Sequence, residues 1–216
     1  MDYAAARRNM VESQLRPNRV TDPALLDAMG MVPRESFVPP ALRSVAYVDE
    51  DIPLGRGRFL MEPMILGRLL SLAAVRPSDI ALVVGAGLGY SAAVLACIAS
   101  RVVAIESDRD FAEQAAQALR AAGTANVTLV QGSLAEGAPG LAPFDVILFE
   151  GAVDRVPAAI QDQLAEGGRL AVVVRTAGVG QATLMTHQAG ISASRAAFDA
   201  AVPLLPGFER APAFVF

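Results

Sequence analysis

Gly85, Gly87 and Gly89 stand two apart, directly after the apolar run Ile80–Val84 and just before the small-residue stretch Ser91–Ser100. Glycine allows a sharp strand-to-helix turn, lets a ligand lie against bare backbone and lets a helix pack close to a strand. Gly85, Gly87 and Gly89 are expected to do these three things in that order. Glu106 closes the next apolar run about twenty residues on, where a carboxylate accepts both ribose hydroxyls of an adenosine-bearing cofactor. A dinucleotide turn wants its third glycine three places after Gly87, and Tyr90 stands there. That departure disfavours NAD. It suits S-adenosylmethionine, whose carboxypropyl group lies across such a turn. Residues for other chemistries are scarce. His187 is the single histidine and Cys97 the single cysteine. No transition-metal ligand set and no internal disulfide can be assembled from them, and no metal is expected. Cys97 lies in an apolar run and is expected to be inert core.

The elements that must position these residues follow from periodicity. Residues 4–30 read as helical, with Met10, Val11 and Leu15 on one face and a stop at Pro17. A second helix starts at Asp22-Pro23, with Leu25, Leu26 and Met29 apolar. Val32 to Pro40 is broken by three prolines, and Ala46 to Pro63 reads as loop. An amphipathic helix over Met64 to Val75 leads into the glycine turn. Strand and helix then alternate: strands at Ile80–Val84, Val102–Glu106, Val127–Val130, Val146–Phe149 and Leu170–Val174, helices at Ser91–Ser100, Phe111–Ala122 and Pro157–Leu164. Strands that are apolar throughout and alternate with helices imply a parallel sheet covered on both faces, an α/β doubly wound fold. The tail from Gln181 to Phe216 is less regular, with room for one or two strands such as Ala213–Phe216. A single domain over residues 1–216 is expected, residues 1–75 forming a helical cap and loop and residues 76–216 the core.

Composition agrees with one generous core. Of 216 residues, 53% are hydrophobic and 19% charged, and the formal net charge is −4. That balance lacks the clustered basic charge that non-specific nucleic-acid binding needs. The uncharged run from Ile80 to Ser100 has roughly the length of a membrane span, but its three glycines and β-branched Val83-Val84 read as strand and turn. The N-terminus carries charge throughout and has no apolar signal region, so a cytoplasmic location is expected.

Several motifs together resemble the protein-L-isoaspartate O-methyltransferase family over roughly residues 7–175: "MVESQL", "VPRESFVP", "AYVDEDIPLGRG", "VVGAGLGYSAAVLA", "VVAIESD", "APFDVIL" and "QLAEGGRLAVVV". The resemblance implies a mostly parallel, seven-stranded Rossmann-like methyltransferase sheet with an N-terminal helical cap. It implies methyl transfer from S-adenosylmethionine, leaving S-adenosylhomocysteine, to the α-carboxylate of isoaspartyl residues in damaged proteins. Gly85, Gly87, Gly89, Tyr90, Glu106, Gly132 and Ser133 are the expected cofactor residues. Tyr47 and Asp49 match the family's "AYxD" and are expected at the substrate mouth, while Arg34 and Glu35 are expected to fix the cap to the core. A monomer or homodimer is expected.

The departures from the family pattern fall at the site. Its G-x-G-Q-T-I-S-Q-P loop reads here Gly55-Arg56-Gly57-Arg58-Phe59-Leu60-Met61-Glu62-Pro63. Met61 takes the place of the serine hydroxyl near the acceptor carboxylate and donates no hydrogen bond. Glu62 adds negative charge there, which Arg56 and Arg58 can offset by bidentate carboxylate binding. Val83 replaces the acid that ends the first strand, and Ser133 the aspartate of a G-D-G. Cofactor affinity is therefore expected to fall by about 1–3 kcal/mol. Glu150, after the fourth strand, is a candidate base for another methylation. Three readings remain open: a methyltransferase with an isoaspartyl or unknown carboxylate acceptor and impaired or altered specificity; a weak or inactive member that acts as a cofactor-binding regulatory or interaction protein; and, less favoured, a nicotinamide oxidoreductase.

Overall fold

The computed structural model describes residues 1–176 and 178–209. Helix α1 (Tyr3–Met10) runs on through a π turn and a 3-10 turn to Asn18. Arg19 then turns left-handed at φ 65°, and α2 (Pro23–Met31) begins with Asp22 accepting the N–H groups of Ala24 and Leu25. A proline after such a cap is already set for the first helical position. Two 3-10 turns follow, at Arg34–Phe37 and Pro40–Val45.

The segment read as loop contains a hairpin, β1 (Ile52–Gly55) and β2 (Arg58–Leu60), paired antiparallel. Arg56 and Gly57 at its tip have φ of 51° and 73°. Two positive φ values at the tip match the twist of the flanking strands, so this two-residue turn closes tightly. Helix α3 (Pro63–Ala73) then leads to β3 (Ile80–Val84), α4 (Tyr90–Ala96), β4 (Arg101–Glu106), α5 (Arg109–Ala121), β5 (Val127–Gln131), β6 (Phe144–Val153), α6 (Ala158–Gln161) and β7 (Leu164–Thr176).

The main sheet has seven strands in the order β5-β4-β3-β6-β7-β8-β9. The first five pair in parallel, while β8 (Val179–Gln188) and β9 (Ile191–Asp199) add on antiparallel. The tail is thus more regular than its sequence suggests up to Asp199, and Ala213–Phe216 lies outside the described residues. Strand residues alternate between two cores. Ala81, Val83, Val102, Ala104, Val146 and Leu148 face one, and Leu82, Val84, Val103, Ile105, Ile147 and Phe149 the other. Met10, Leu15, Leu25, Met29 and Leu66 share the first core, so the N-terminal helices pack into the same apolar body as the sheet. Cys97 departs from its expected place: it caps α4 at the surface and is exposed. Helix α4 is buried on all sides from Tyr90 to Leu95 but ends at Ala96, so Cys97 lies past its last buried residue. No helix among the described residues is long and apolar enough to cross a membrane.

Candidate active site

In an open α/β sheet the crevice outside the strand carboxyl ends is where ligands bind. The order of the strands puts the ends of β3, β4, β5 and β6 there side by side. Gly85 leaves β3 at φ 84°, and the N–H groups of Gly85 and Ala86 both donate to the Ile105 carbonyl at 3.0 Å. A Cβ on Gly89 would meet Leu119 of α5 at 3.2 Å, which fits the close packing expected of that position.

Glu106 is fully buried at the end of β4. Its Oε1 accepts the N–H groups of Ser107 and Asp108 at 2.8 and 3.0 Å, and its Oε2 accepts the Gly87 N–H at 2.8 Å. The carboxylate thus locks the glycine turn from below. Gly132 follows at the end of β5 and donates its N–H to the Glu106 carbonyl at 3.0 Å. The Ser133 side chain is exposed. Val83 is buried in the core.

The hairpin covers this crevice. Arg58, buried, donates through Nη2 to Glu106 Oε2. Arg56 reaches Asp108 and Asp110 at 2.7 and 2.6 Å. Both arginines that sequence offers to an acceptor carboxylate are therefore bound to carboxylates of the chain itself. Leu54 lies over Gly87, 3.2 Å from where a Cβ would stand. A second cover comes from residues 202–208. Between the pairs Leu148–Ala171 and Ala152–Val173, β6 advances four residues and β7 two, so β6 bulges around Glu150 and Gly151. The bulge frees Ala152 to exchange hydrogen bonds with Pro203 and Leu205, at 2.9 and 2.8 Å. Leu205 is thereby seated on the glycine turn, 2.8 Å from a Cβ placed on Gly85. Phe208 packs edge-on to Phe149 with ring centroids 5.5 Å apart. This strap had no signal in the sequence beyond its leucines and prolines.

Below the cover lies a cavity of about 10 Å³ lined by Phe59, Met61, Glu150, Gly151 and Leu205 among others. Met61 is 1% exposed and occupies its floor. Glu150 is buried, and burial pushes its carboxyl up to about 8 against the opposing pull of Arg34 and Arg58. Arg34, fully buried, donates to the carbonyls of Ala46 and Met61 at 2.7 Å each and stacks on the Tyr90 ring at 4.9 Å. Burial lowers the Arg34 pKa and raises that of Tyr90. Four buried atoms here lack a well-formed hydrogen bond among the described residues: Arg34 Nη1, Arg58 Nε, Tyr90 Oη and Glu150 Oε1.

Other sequence candidates sit elsewhere. Glu62 is outside the cavity wall, at the start of α3 beside Asp49 and Asp51, which accept the N–H groups of Met64 and Glu62. Burial first, then Asp51, pushes Glu62 up to about 7. Tyr47 is held away from the cavity by Arg7 and Glu35, and burial raises its hydroxyl to about 12. Glu35 also takes Arg7 at 3.2 Å, so it ties α1 to Tyr47 within the cap, and of the pair expected to fix the cap to the core it is Arg34 that reaches across, to Tyr90.

For a nucleoside cofactor the backbone seat is in place and the space is not. Drug-sized ligands fill about 300–1,000 Å³. Arg58 and Leu205 lie against Gly85 and Leu54 against Gly87, so a cofactor seated on this turn must displace these side chains.

The sequence pattern of the family described as protein-L-isoaspartate(D-aspartate) O-methyltransferase matches residues 6–202. A protein-L-isoaspartate O-methyltransferase of Methylorubrum populi is 45% identical over 186 residues, 86% of this chain and 87% of its own. One from Roseiflexus sp. (strain RS-1) is 40% identical over 81% of this chain and 79% of its own. Among solved structures, a protein-L-isoaspartate O-methyltransferase superposes with TM-score 0.81 at 24% identity, covering 93% of this chain and 66% of that one. A Plasmodium falciparum structure described as such an enzyme in complex with S-adenosyl-L-homocysteine gives 0.80 at 17% identity, covering 95% and 98%.

Proposed function

Since this chain belongs to the protein-L-isoaspartate O-methyltransferase family and is with it an S-adenosylmethionine-dependent methyltransferase, we propose that it methylates a carboxylate, that of an isoaspartyl protein or peptide in first place, from a pocket altered on the acceptor side. The observation that carries this reading is the Gly87 N–H bonded to Glu106 at the strand ends, a turn and an acid held in the arrangement an adenosine cofactor needs. Gly85, Gly87 and Gly132 would offer backbone, Glu106 would accept the ribose hydroxyls, and Ser133 would lie at the base edge.

The cofactor, when bound, supplies a methyl group on an already activated sulfonium. A carboxylate acceptor needs no general base at neutral pH, so the chain's part is proximity and orientation. Met61 excludes water from the acceptor side but donates nothing to a carboxylate. Losing one positioned donor in an active site costs about 10²–10³ in rate. Met61, Ser133 and Val83 favour a second reading, a slow or silent member that holds cofactor as a regulatory protein. A cytoplasmic location goes with either.

The test is methyl transfer to an isoaspartyl peptide by the natural protein and by Met61→Ser. We expect slow turnover that the serine raises about tenfold or more. Robust turnover that the serine leaves unimproved would overturn the altered-pocket reading. Silence from both, with cofactor bound in calorimetry, would favour the regulatory reading.

A further inference from the structure

Two of the four buried atoms that lack a well-formed hydrogen bond are complementary. Arg58 Nε is a donor without an acceptor, and Glu150 Oε1 an acceptor without a donor. Arg58 stands among three features: Glu106, to which it is bonded, the glycine turn, where its Nη1 lies 3.1 Å from a Cβ placed on Gly85, and Glu150, on which its charge also acts. Glu106 does not depend on Arg58 to stay in place, because three backbone N–H groups hold it. Glu150 has no such support. A buried carboxyl oxygen without a donor is costly, and a guanidinium that reaches it supplies the donor and favours the ionised form that burial disfavours.

We propose that Arg58 is a positioning residue with two seats: it rests on Glu106 while the crevice is closed, and when Glu106 exchanges it for ribose hydroxyls it moves to Glu150. The second seat lies on the wall of the cavity floored by Met61. There Arg58 brings positive charge to the place where an acceptor carboxylate would dock, the contact Met61 cannot make. Cofactor binding then prepares the acceptor pocket, and binding is ordered, cofactor first. This rests on the reading that Glu106 holds the cofactor's ribose.

The experiment is calorimetry with S-adenosylhomocysteine on the natural protein, Arg58→Gln, Arg58→Lys, Glu150→Gln and the double variant Arg58→Gln/Glu150→Gln. Removing the competitor from Glu106 is expected to tighten binding about tenfold in Arg58→Gln, with Arg58→Lys in between. Removing the second seat is expected to weaken binding about threefold or more in Glu150→Gln and to have no effect in the Arg58→Gln background. Equal or weaker binding by Arg58→Gln overturns the proposal, and so does a Glu150→Gln effect that persists without Arg58. If Arg58→Gln does not fold, Arg58→Lys decides: affinity no higher than that of the natural protein overturns the proposal. Equal, tight binding by every variant overturns the two seats and leaves the cofactor reading standing. No binding by the natural protein or Arg58→Gln at millimolar ligand overturns both.

Discussion

Two arginine–carboxylate pairs, one buried and one half-buried on its arginine side, sit at opposite ends of the sheet, and they are built differently. At the strand amino ends, Arg169 of β7 meets Asp79 through two nitrogens, at 3.4 and 2.5 Å. Its remaining bonds go to the carbonyls of Ala73, Ala74 and Asp145, so all three guanidinium nitrogens are engaged. Asp79 takes the Arg76 N–H as well, at 2.8 Å. At the strand carboxyl ends, Arg58 meets Glu106 through one nitrogen, and its Nε and Glu150 Oε1 are buried without a well-formed hydrogen bond. A buried ion pair holds a fold together only when its remaining protons and lone pairs are satisfied. The saturated pair is scaffold. The unsaturated one keeps polar capacity in reserve, as a site does when a ligand completes it.

The largest expected effect tests that contrast. Arg169→Ala leaves Asp79 buried without its cation and three carbonyls without a donor. It is expected to cost about 3–5 kcal/mol, read from urea unfolding. Arg58→Gln leaves Glu106 with three backbone donors and is expected to cost about 1 kcal/mol or less. Equal costs in the two variants would erase the distinction between scaffold and site.

A smaller effect concerns Glu150. Its carboxyl titrates at about 8 in the fold against 4.5 when free, because burial disfavours the charged form. The folded state therefore binds this proton more tightly than the unfolded one. Stability from this group is fully present below 4.5 and is lost as pH rises through 8. Glu62, raised to about 7, acts in the same direction, so the comparison must be between variants rather than between pH values. Glu150→Gln is expected to match the natural protein near pH 5 and to exceed it by on the order of 2 kcal/mol at pH 9, by chemical denaturation. A constant difference across that range would mean that Glu150 is not the titrating group.

At the carboxyl ends, the seat and its cover differ in how far sequence reveals them. The glycine turn and Glu106 are legible because strand, turn and acid are local, and their spacing follows from the strand–helix repeat. Ile80–Val84 is bounded in the fold as its apolar run predicts. The cover is not legible. The hairpin hides its alternation behind Pro53 and Gly55, and its tip depends on Arg56 taking a positive φ that few non-glycine residues adopt. Leu205 reaches the turn only because β6 bulges, and a bulge set by packing between strands leaves no local pattern. Arg58 and Glu106 are 48 residues apart, and each reads sensibly alone as a ligand-binding group. That they bind one another is a fact of the folded chain, in which the separate β1–β2 hairpin brings Arg58 to the end of β4.

The smallest effect belongs to Arg56, the hairpin's other arginine. Its side chain is 60% exposed, and its partners Asp108 and Asp110 are 25% and 61% exposed. Exposed pairs hold little, because water competes for both charges and ordering two long side chains costs entropy. The Arg56 hydrogen bond is nonetheless the first cause that holds the Asp108 carboxyl below its ordinary value. A depressed carboxylate contributes stability above its unfolded pKa and loses it as pH falls through the folded one. Arg56→Ala is thus expected to lower the urea midpoint slightly at neutral pH in dilute buffer, and not at all in acid. In about 1 M salt, where screening acts within about 3 Å, the difference should vanish. Helix α5 should start where it does now, because Asp108 keeps the N–H groups of Asp110 and Phe111 at 2.9 and 3.1 Å. Urea midpoints across a salt series check this. A loss that persists in high salt would mean that Arg56 fixes the hairpin on which Arg58 rides, and the whole hairpin, rather than the one buried pair, would be what closes the crevice.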